Sequence, residues 1–351
     1  MRQIVGKSLS GDIKEAVSPI EAGPSFLMMY SDAEHFEDNV QKLAKLFPGV
    51  PSIGLPGEFY NTCYSSSGVG VTAFYGVRAV TGVMRHASFA PVTDIASLKK
   101  NCAAIGAGVD DTVCIDVCTG NDACVLTTLY SVLKHYGIHE TGGTVSLGSK
   151  IAADGVIHDD CAVYVLMRNL SGKAKVFREN LYRTVSDKRF VASRTDPSKY
   201  YVGELNGRPA KLVYEQLLGI GDSQVTEQTM KNPLGRIVGK DIYIVSINGT
   251  LGDGLTFFRE VNDSDVLTLL ELKDIRTIVK QTIENIHSEM DRISGIVSVN
   301  CVFRHRLFNE KNYLQEYLDL MNIAPHCGFF GYGEHYNGQF VNQTMSCVAF
   351  E

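Results

Sequence analysis

Apolar positions recur along the chain in short blocks, and the spacing within the blocks changes in a regular order. Pro24 to Tyr30 is an apolar run, strand-like by its length. Ser31, with Glu34 three residues on, reads as a capping box opening a helix to about Leu46, which Phe47-Pro48-Gly49 ends. Pro51 to Leu55 is a second strand, closed by Pro56-Gly57, and Val69 to Arg78 alternates as a third. The same order then returns. Thr112 to Val117 is a strand, Thr119-Gly120-Asn121 a turn and cap, and Asp122 to Tyr136 an amphipathic helix stopped by Gly137. Gly142-Gly143-Thr144 to Gly148 is a glycine-rich strand end, and Val156 to Met167 a long strand.

Ser171 to about Asp196 is more polar, and the chain is divided there into an N-terminal lobe, 1–190, and a C-terminal lobe, 191–351. Val202 to Gly207 reads as strand and turn. Pro209 to Leu218 reads as a helix with proline in its first turn, a favourable position. Asp241 to Asn248 and Leu255 to Glu260 are strands around Asn248-Gly249 and Gly252-Asp253-Gly254, which is hairpin chemistry. Val266 to Ser294 contains a long helix. Ile296 to Phe303 is a strand, Glu310 to Asn322 a helix, and Pro325 to Phe330 and Met345 to Phe350 are strands.

The closing segment echoes the opening one. Gly57-Glu58-Phe59-Tyr60-Asn61 aligns with Gly333-Glu334-His335-Tyr336-Asn337 at an offset of 276, without a gap as far as Ala73-Phe74 against Ala349-Phe350. Upstream of each lie strand, helix, proline and strand, and Thr112 to Met167 shares the layout without the Gly-Glu signature. The fold class is therefore α/β of mixed α+β character. Two related lobes each carry a sheet with packed helices around a repeat of strand, helix, strand, Gly-Glu turn and strand. Glycine takes positive φ without steric cost, so a carboxylate directly after it is fixed on a rigid corner. There Glu58 and Glu334 either satisfy their own turns or face a ligand, and clefts between lobes are common small-molecule sites.

Composition narrows the function. The 351 residues are 44% hydrophobic and 21% charged, with a formal charge of −6, as in ordinary globular protein. No basic stripe suited to nucleic acid is present. No run approaches the roughly 18 apolar residues of a membrane span, and the start has no apolar signal segment. The nine cysteines then imply a reduced, cytoplasmic setting with thiols mostly as small core residues. Cys114, Cys118 and Cys124 match no common metal spacing; Cys114, Asp116 and Cys118 would share one face of a strand, but a strand followed by a loop explains that without metal, and no metal site is expected.

The chain resembles the FIST family of sensory domains from about Val5 to Phe350. In the N-terminal half the resemblance rests on Ser52-Ile53-Gly54-Leu55-Pro56-Gly57-Glu58 and on Gly142-Gly143-Thr144-Val145-Ser146-Leu147-Gly148. In the C-terminal half it rests on Asn206-Gly207-Arg208-Pro209-Ala210, Tyr214, Asn232-Pro233-Leu234-Gly235 and Cys301-Val302-Phe303-Arg304. It continues through Gly328-Phe329-Phe330-Gly331-Tyr332-Gly333-Glu334 and Asn342-Gln343-Thr344. Leu55-Pro56 stands where the family often has Ser-Thr, and Asn232 where it often has His. The resemblance implies a bacterial ligand-binding input domain, with amino acids as ligands of some members. Output would pass through an attached or separate transducer, a chemotaxis signalling domain or a histidine kinase. Other members resemble haem-binding nitric-oxide sensors.

Three functions follow. In the first, no cofactor is needed and a small zwitterion binds. Arg304 forks onto its carboxylate, Glu334 takes its ammonium, and Asn342 and Thr344 add hydrogen bonds. Gly57, Glu58, Gly142, Gly143, Cys301, Gly333 and Tyr336 complete the candidate site, and replacing Arg304 should cost affinity while sparing the fold. Arg304 can instead pair with a structural carboxylate such as Glu334. In the second, haem is bound through an axial histidine, with His86, His158, His326, His135 and His139 as candidates. The third is an enzyme with Cys301 as nucleophile and His326 as base, but no catalytic motif accompanies them, and the chain is read as a non-enzyme. Ligand would act by shifting the relative pose of the lobes. No coiled coil follows Glu351, so output goes to a separate partner or the chain is an input module of a longer receptor; a homo-oligomer is possible.

Overall fold

The computed structural model describes every residue except Asn121, Leu147 and Ser186, so the cap expected at Asn121 and one position of the 142–148 run lie outside the described residues. The protein is mixed α/β with three sheets. It divides into two compact units, and the chain visits the first more than once. That unit comprises Met1–Glu179, Val279–Phe340 and Thr344–Glu351, and the second Asn180–Ile278 and Val341–Gln343. The polar stretch after Ser171 thus contains the point where the chain leaves the first unit, and the chain returns to it at Val279.

The first unit repeats one motif three times. Strand Phe26–Ser31 leads through helix Phe36–Leu46 to the parallel strand Ser52–Pro56, and Val69–Tyr75 returns antiparallel to the first strand. Thr112–Cys118, helix Asp122–Leu133, parallel His139–Val145 and antiparallel Cys161–Asn169 do the same. So do Gly295–Cys301, helices Val302–Glu310 and Leu314–Met321, parallel His326–Tyr336 and antiparallel Thr344–Phe350. The first copy builds a six-stranded sheet, and the other two lie in one eleven-stranded sheet.

Alternation along the strands explains the layers. Met28, Tyr30, Leu55 and Phe74 of the smaller sheet pack against Ile115, Val117, Val165, Val299 and Val348 of the larger. The opposite face of the smaller sheet takes Phe36, Val40 and Leu43 from helix Phe36–Leu46. The opposite face of the larger takes Leu98, Cys102, Val125 and Leu129 from helices Ile95–Ile105 and Asp122–Leu133. The second unit packs helix Ala210–Leu218, with Val213 and Tyr214, onto antiparallel strands contributing Val202, Leu205, Leu255 and Leu267. Among the described residues, no helix is long and apolar enough to cross a membrane.

Several boundaries differ from expectation. Ser31 ends its strand and does not cap the next helix, whose N-cap is His35 with no side-chain capping bond. The strand expected over Ile296 to Phe303 stops at Cys301, and Arg304 is helical. The polar stretch 171–196 contains strands Ala174–Asn180, Tyr182–Thr184 and Phe190–Asp196, paired by backbone bonds that composition does not report. Val266–Leu272 is a strand ahead of helix Ile275–Glu289.

Candidate functional site

Strand His326–Tyr336 carries the second Gly-Glu pair through the middle of the larger sheet. It is parallel to Gly295–Cys301 on one side and antiparallel to His139–Val145 on the other. Its register against His139–Val145 shifts between Gly331 and Gly333, so Tyr332 is an extra residue that bulges out. Beyond the bulge Glu334 lies opposite Gly143 and His335 opposite Gly142. Adjacent strand residues point to opposite faces, so Glu334 and His335 each found a separate cluster. Gly57, with φ +144°, forms the corner expected of it. Gly333 does not: it is an ordinary strand residue, and glycine is required because an added Cβ would lie 2.0 Å from the Phe340 ring.

Glu334 is wholly buried. One carboxyl oxygen, Oε2, accepts from the Thr344 backbone N–H (3.1 Å) and hydroxyl (2.8 Å). Burial pushes its pKa up to about 8, against the pull of Thr344 and the Arg304 guanidinium. Arg304, in the first turn of helix Val302–Glu310, is 1% exposed. The carboxylate it meets is Glu179, also buried, and Nε donates to Asn300 Oδ1 (2.8 Å). Its guanidinium lies over Phe308, 4.9 Å from the ring centroid. Asn300 is held in turn by Tyr60 and Tyr317, its Nδ2 donating to their hydroxyl oxygens at 2.6 and 3.0 Å. Three buried atoms in this cluster, Arg304 Nη1, Glu179 Oε2 and Glu334 Oε1, have no hydrogen-bond partner among the described residues.

On the other face, Asp116, Gly142 and His335 stand side by side on three neighbouring strands. Glycine in the middle lets the outer two meet: a Cβ there would lie 2.2 Å from Asp116 Oδ1. His335 Nδ1 is 2.6 Å from Asp116 Oδ2, and Nε2 is 3.3 Å from Thr144 Oγ1, which donates to Asp122 Oδ2 (2.7 Å). Cys118 Sγ lies 3.6 Å from the same Asp116 oxygen. Burial lowers the His335 pKa, but the Asp116 carboxylate outweighs it and holds the ring at about 9.

Cys301 joins the Glu334 cluster, its thiol hydrogen-bonding that carboxyl group, while the remaining candidates scatter. Glu58 is partly exposed and lies 3.4 Å from His305, whose ring stacks on Phe330; the hydrogen bond from His305 lowers its pKa. Tyr336 packs against the Arg178 guanidinium and lines a cleft of about 420 Å³ with His139, Lys175 and Phe177. Gly143 is constrained by Val299, 2.6 Å from an added Cβ. Asn342 is buried and belongs to the second unit, as does Gln343, which donates to the Thr229 carbonyl and Ser246 Oγ. Cys301 and His326 are not brought together: His326 pairs with Ile296 and Cys301 with Gly331, five residues apart along the strands, about 16 Å.

Among the histidines, only His326 and His335 are buried. His326 Nε2 is bonded to Ser298 Oγ (2.7 Å), and burial depresses its pKa to about 4. His86, His135 and His139 are exposed and His158 half-buried. With both buried rings held against neighbouring strands, these residues do not fit a haem, and no step is derived through one. Sequence reasoning missed Glu179, Asn300 and His335 as site residues. For His335 a signal existed, since Asp116 and Cys118 already shared a strand face; Glu179, in an unremarkable polar stretch, gave none.

A family model described as the FIST N domain matches residues 25–208, and one described as the FIST C domain matches residues 210–337. No curated protein matches the chain.

Proposed function

The chain belongs to the FIST family, and on that premise we propose that it is a sensory input module whose small ligand is an amino-acid-like zwitterion held at the Arg304–Glu334 cluster. FIST domains are associated with sensory signal-transduction proteins, so a small ligand and a signalling partner are the coarse expectation. The observation that carries the finer reading is the trio Arg304 Nη1, Glu179 Oε2 and Glu334 Oε1, each buried and without a hydrogen-bond partner among the described residues. Buried polar atoms are paired in nearly all folded proteins, and an unpaired charged group costs more than a neutral one. A ligand bearing both a carboxylate and an ammonium supplies what all three lack. Its carboxylate takes the remaining Arg304 N–H groups, and its ammonium takes the carboxyl oxygens of Glu334 and Glu179.

Both anchors are shielded from solvent, so ligand reaches them only when the chain opens locally. Binding then favours one conformation over another, which is what a sensor must do to pass a signal to an attached or separate transducer. We infer binding without chemistry: the Cys301 thiol that hydrogen-bonds Glu334 is itself buried, where thiols are inert.

Calorimetry of the purified protein against a panel of amino acids tests this, with Glu334→Gln as the variant. The substituted amide keeps a carbonyl oxygen for the two Thr344 bonds but removes the carboxylate. At least one amino acid should release heat, and the variant should bind it about ten- to a hundredfold more weakly, the range for a charged hydrogen bond. Silence across the panel, or equal affinity in the variant, defeats the reading.

A further inference from the structure

We propose that Asp116, Cys118 and His335 form a binding site for one divalent transition-metal ion of the zinc class. Their ligand atoms, a carboxylate oxygen, a sulfur and an imidazole nitrogen, all lie within 4.8 Å of one another, and all three residues are buried. This is the mixed donor set that zinc takes in proteins. The site lies on the face of strand His326–Tyr336 opposite Glu334 and does not rest on the ligand assigned there.

The second shell fits as well. The Thr144 hydroxyl hydrogen is committed to Asp122, so Thr144 Oγ1 accepts from His335 Nε2–H. That places a hydrogen on Nε2 and turns Nδ1 toward Asp116 and Cys118, the arrangement in which a metal-bound histidine is oriented through its far nitrogen. Two wholly buried carboxyl oxygens, Asp116 Oδ1 and Glu140 Oε1, have no hydrogen-bond partner among the described residues. Glu140 stands two residues before Gly142 on the same face of its strand. Four of these positions share one sheet face, with Cys118 opposite Thr144 and Asp116 opposite Gly142.

Metal binding here is an exchange. Ligands bind the ion in their deprotonated forms, so a divalent cation entering the site displaces whatever protons its ligand atoms carry. The 3.6 Å between Cys118 Sγ and Asp116 Oδ2 already suits two ligands on one zinc-sized ion. The 2.6 Å between His335 Nδ1 and Asp116 Oδ2 is a proton-bridged spacing, and it lengthens by about 1 Å when the ion replaces the proton.

Because the site is closed, loading belongs to folding. The full chain, produced in medium where cobalt(II) replaces zinc, should carry about one cobalt per chain by elemental analysis. It should also show tetrahedral visible bands and a sulfur-to-cobalt charge-transfer band in the near ultraviolet. Cys118→Ser should remove the charge-transfer band and lower the cobalt content at least tenfold, while Cys124→Ser, at an exposed thiol, leaves both intact. Cobalt at background level in the native chain overturns the proposal. So does a charge-transfer band that survives Cys118→Ser. A circular dichroism spectrum shared by all three proteins confirms that the comparison is between folded chains.

Discussion

Arg304 and Glu179 form an ion pair with almost no solvent around it, and halving such a pair is costly. Arg304→Ala leaves the Glu179 carboxylate buried and uncompensated, so it should lose about 3–5 kcal/mol of stability in urea titration. Replacing both partners, Arg304→Met with Glu179→Leu, should recover most of that loss, since apolar side chains need no partner. A double mutant as unstable as the single would mean that the pair's other bonds, to Asn300, dominate. The expectation that Arg304 can be replaced with the fold spared therefore fails on burial, which is why Glu334→Gln is the better probe of binding. Gly142 makes a second residue-scale test. An added methyl there lies 2.2 Å from both the backbone and side-chain oxygens of Asp116, whereas at Gly221 it meets nothing within 4 Å. Gly142→Ala should cost about 1–3 kcal/mol or more and Gly221→Ala less than about 0.5. Equal urea midpoints for the two variants would contradict the close three-strand packing around Asp116.

At the scale of elements, helix Phe36–Leu46 starts at His35 without a side-chain cap, and Asp32 fixes the turn that leads into it. Asp32 accepts from the His35 N–H (2.9 Å) and from the Gly68 N–H (2.8 Å), tying the helix start to the loop before strand Val69–Tyr75. Asp32→Ala should cost about 1–2 kcal/mol by thermal or urea denaturation, as expected for backbone N–H bonds lost from a carboxylate, and a variant as stable as the native chain would refute the role. The strand-helix-strand-strand motif was legible because its signals are local: apolar periods of two and 3.6, and proline and glycine at the breaks. The clusters were less so, because they depend on register between distant strands. Without the extra residue at Tyr332, Glu334 would fall opposite Gly142, beside Asp116, and His335 opposite Thr141. One bulge thus decides which side chain enters which cluster, and an exposed tyrosine between two glycines does not announce it. The echo of Gly57-Glu58 in Gly333-Glu334 was real as a repeat of strands, yet the two glutamates ended in different surroundings. Glu58 lies at a half-exposed corner with His305, and Glu334 is enclosed against Thr344.

At the scale of the molecule, the chain leaves its first unit at Asn180 and returns at Val279, and all nine cysteines lie in that first unit. Seven of them are buried: Cys102, Cys114, Cys118, Cys161, Cys301, Cys327 and Cys347. Burial pushes the thiols of Cys114 and Cys347 well up, so they are closed both to reagent and to ionisation, and only the thiolate reacts. Cys124 is exposed and Cys63 partly so. A thiol-specific chromophoric reagent at neutral pH should therefore label two cysteines in the native protein, Cys124 faster than Cys63. The other seven should follow together as urea unfolds the first unit, because they sit in its shared sheet and helix cores. Since the second unit contributes no thiol, this reaction reads the first unit alone, whatever the far-ultraviolet dichroism of the whole chain does. Early labelling of Cys102 would locate a weak helix layer over the larger sheet. Labelling of all nine without denaturant would show that the layered first unit does not form.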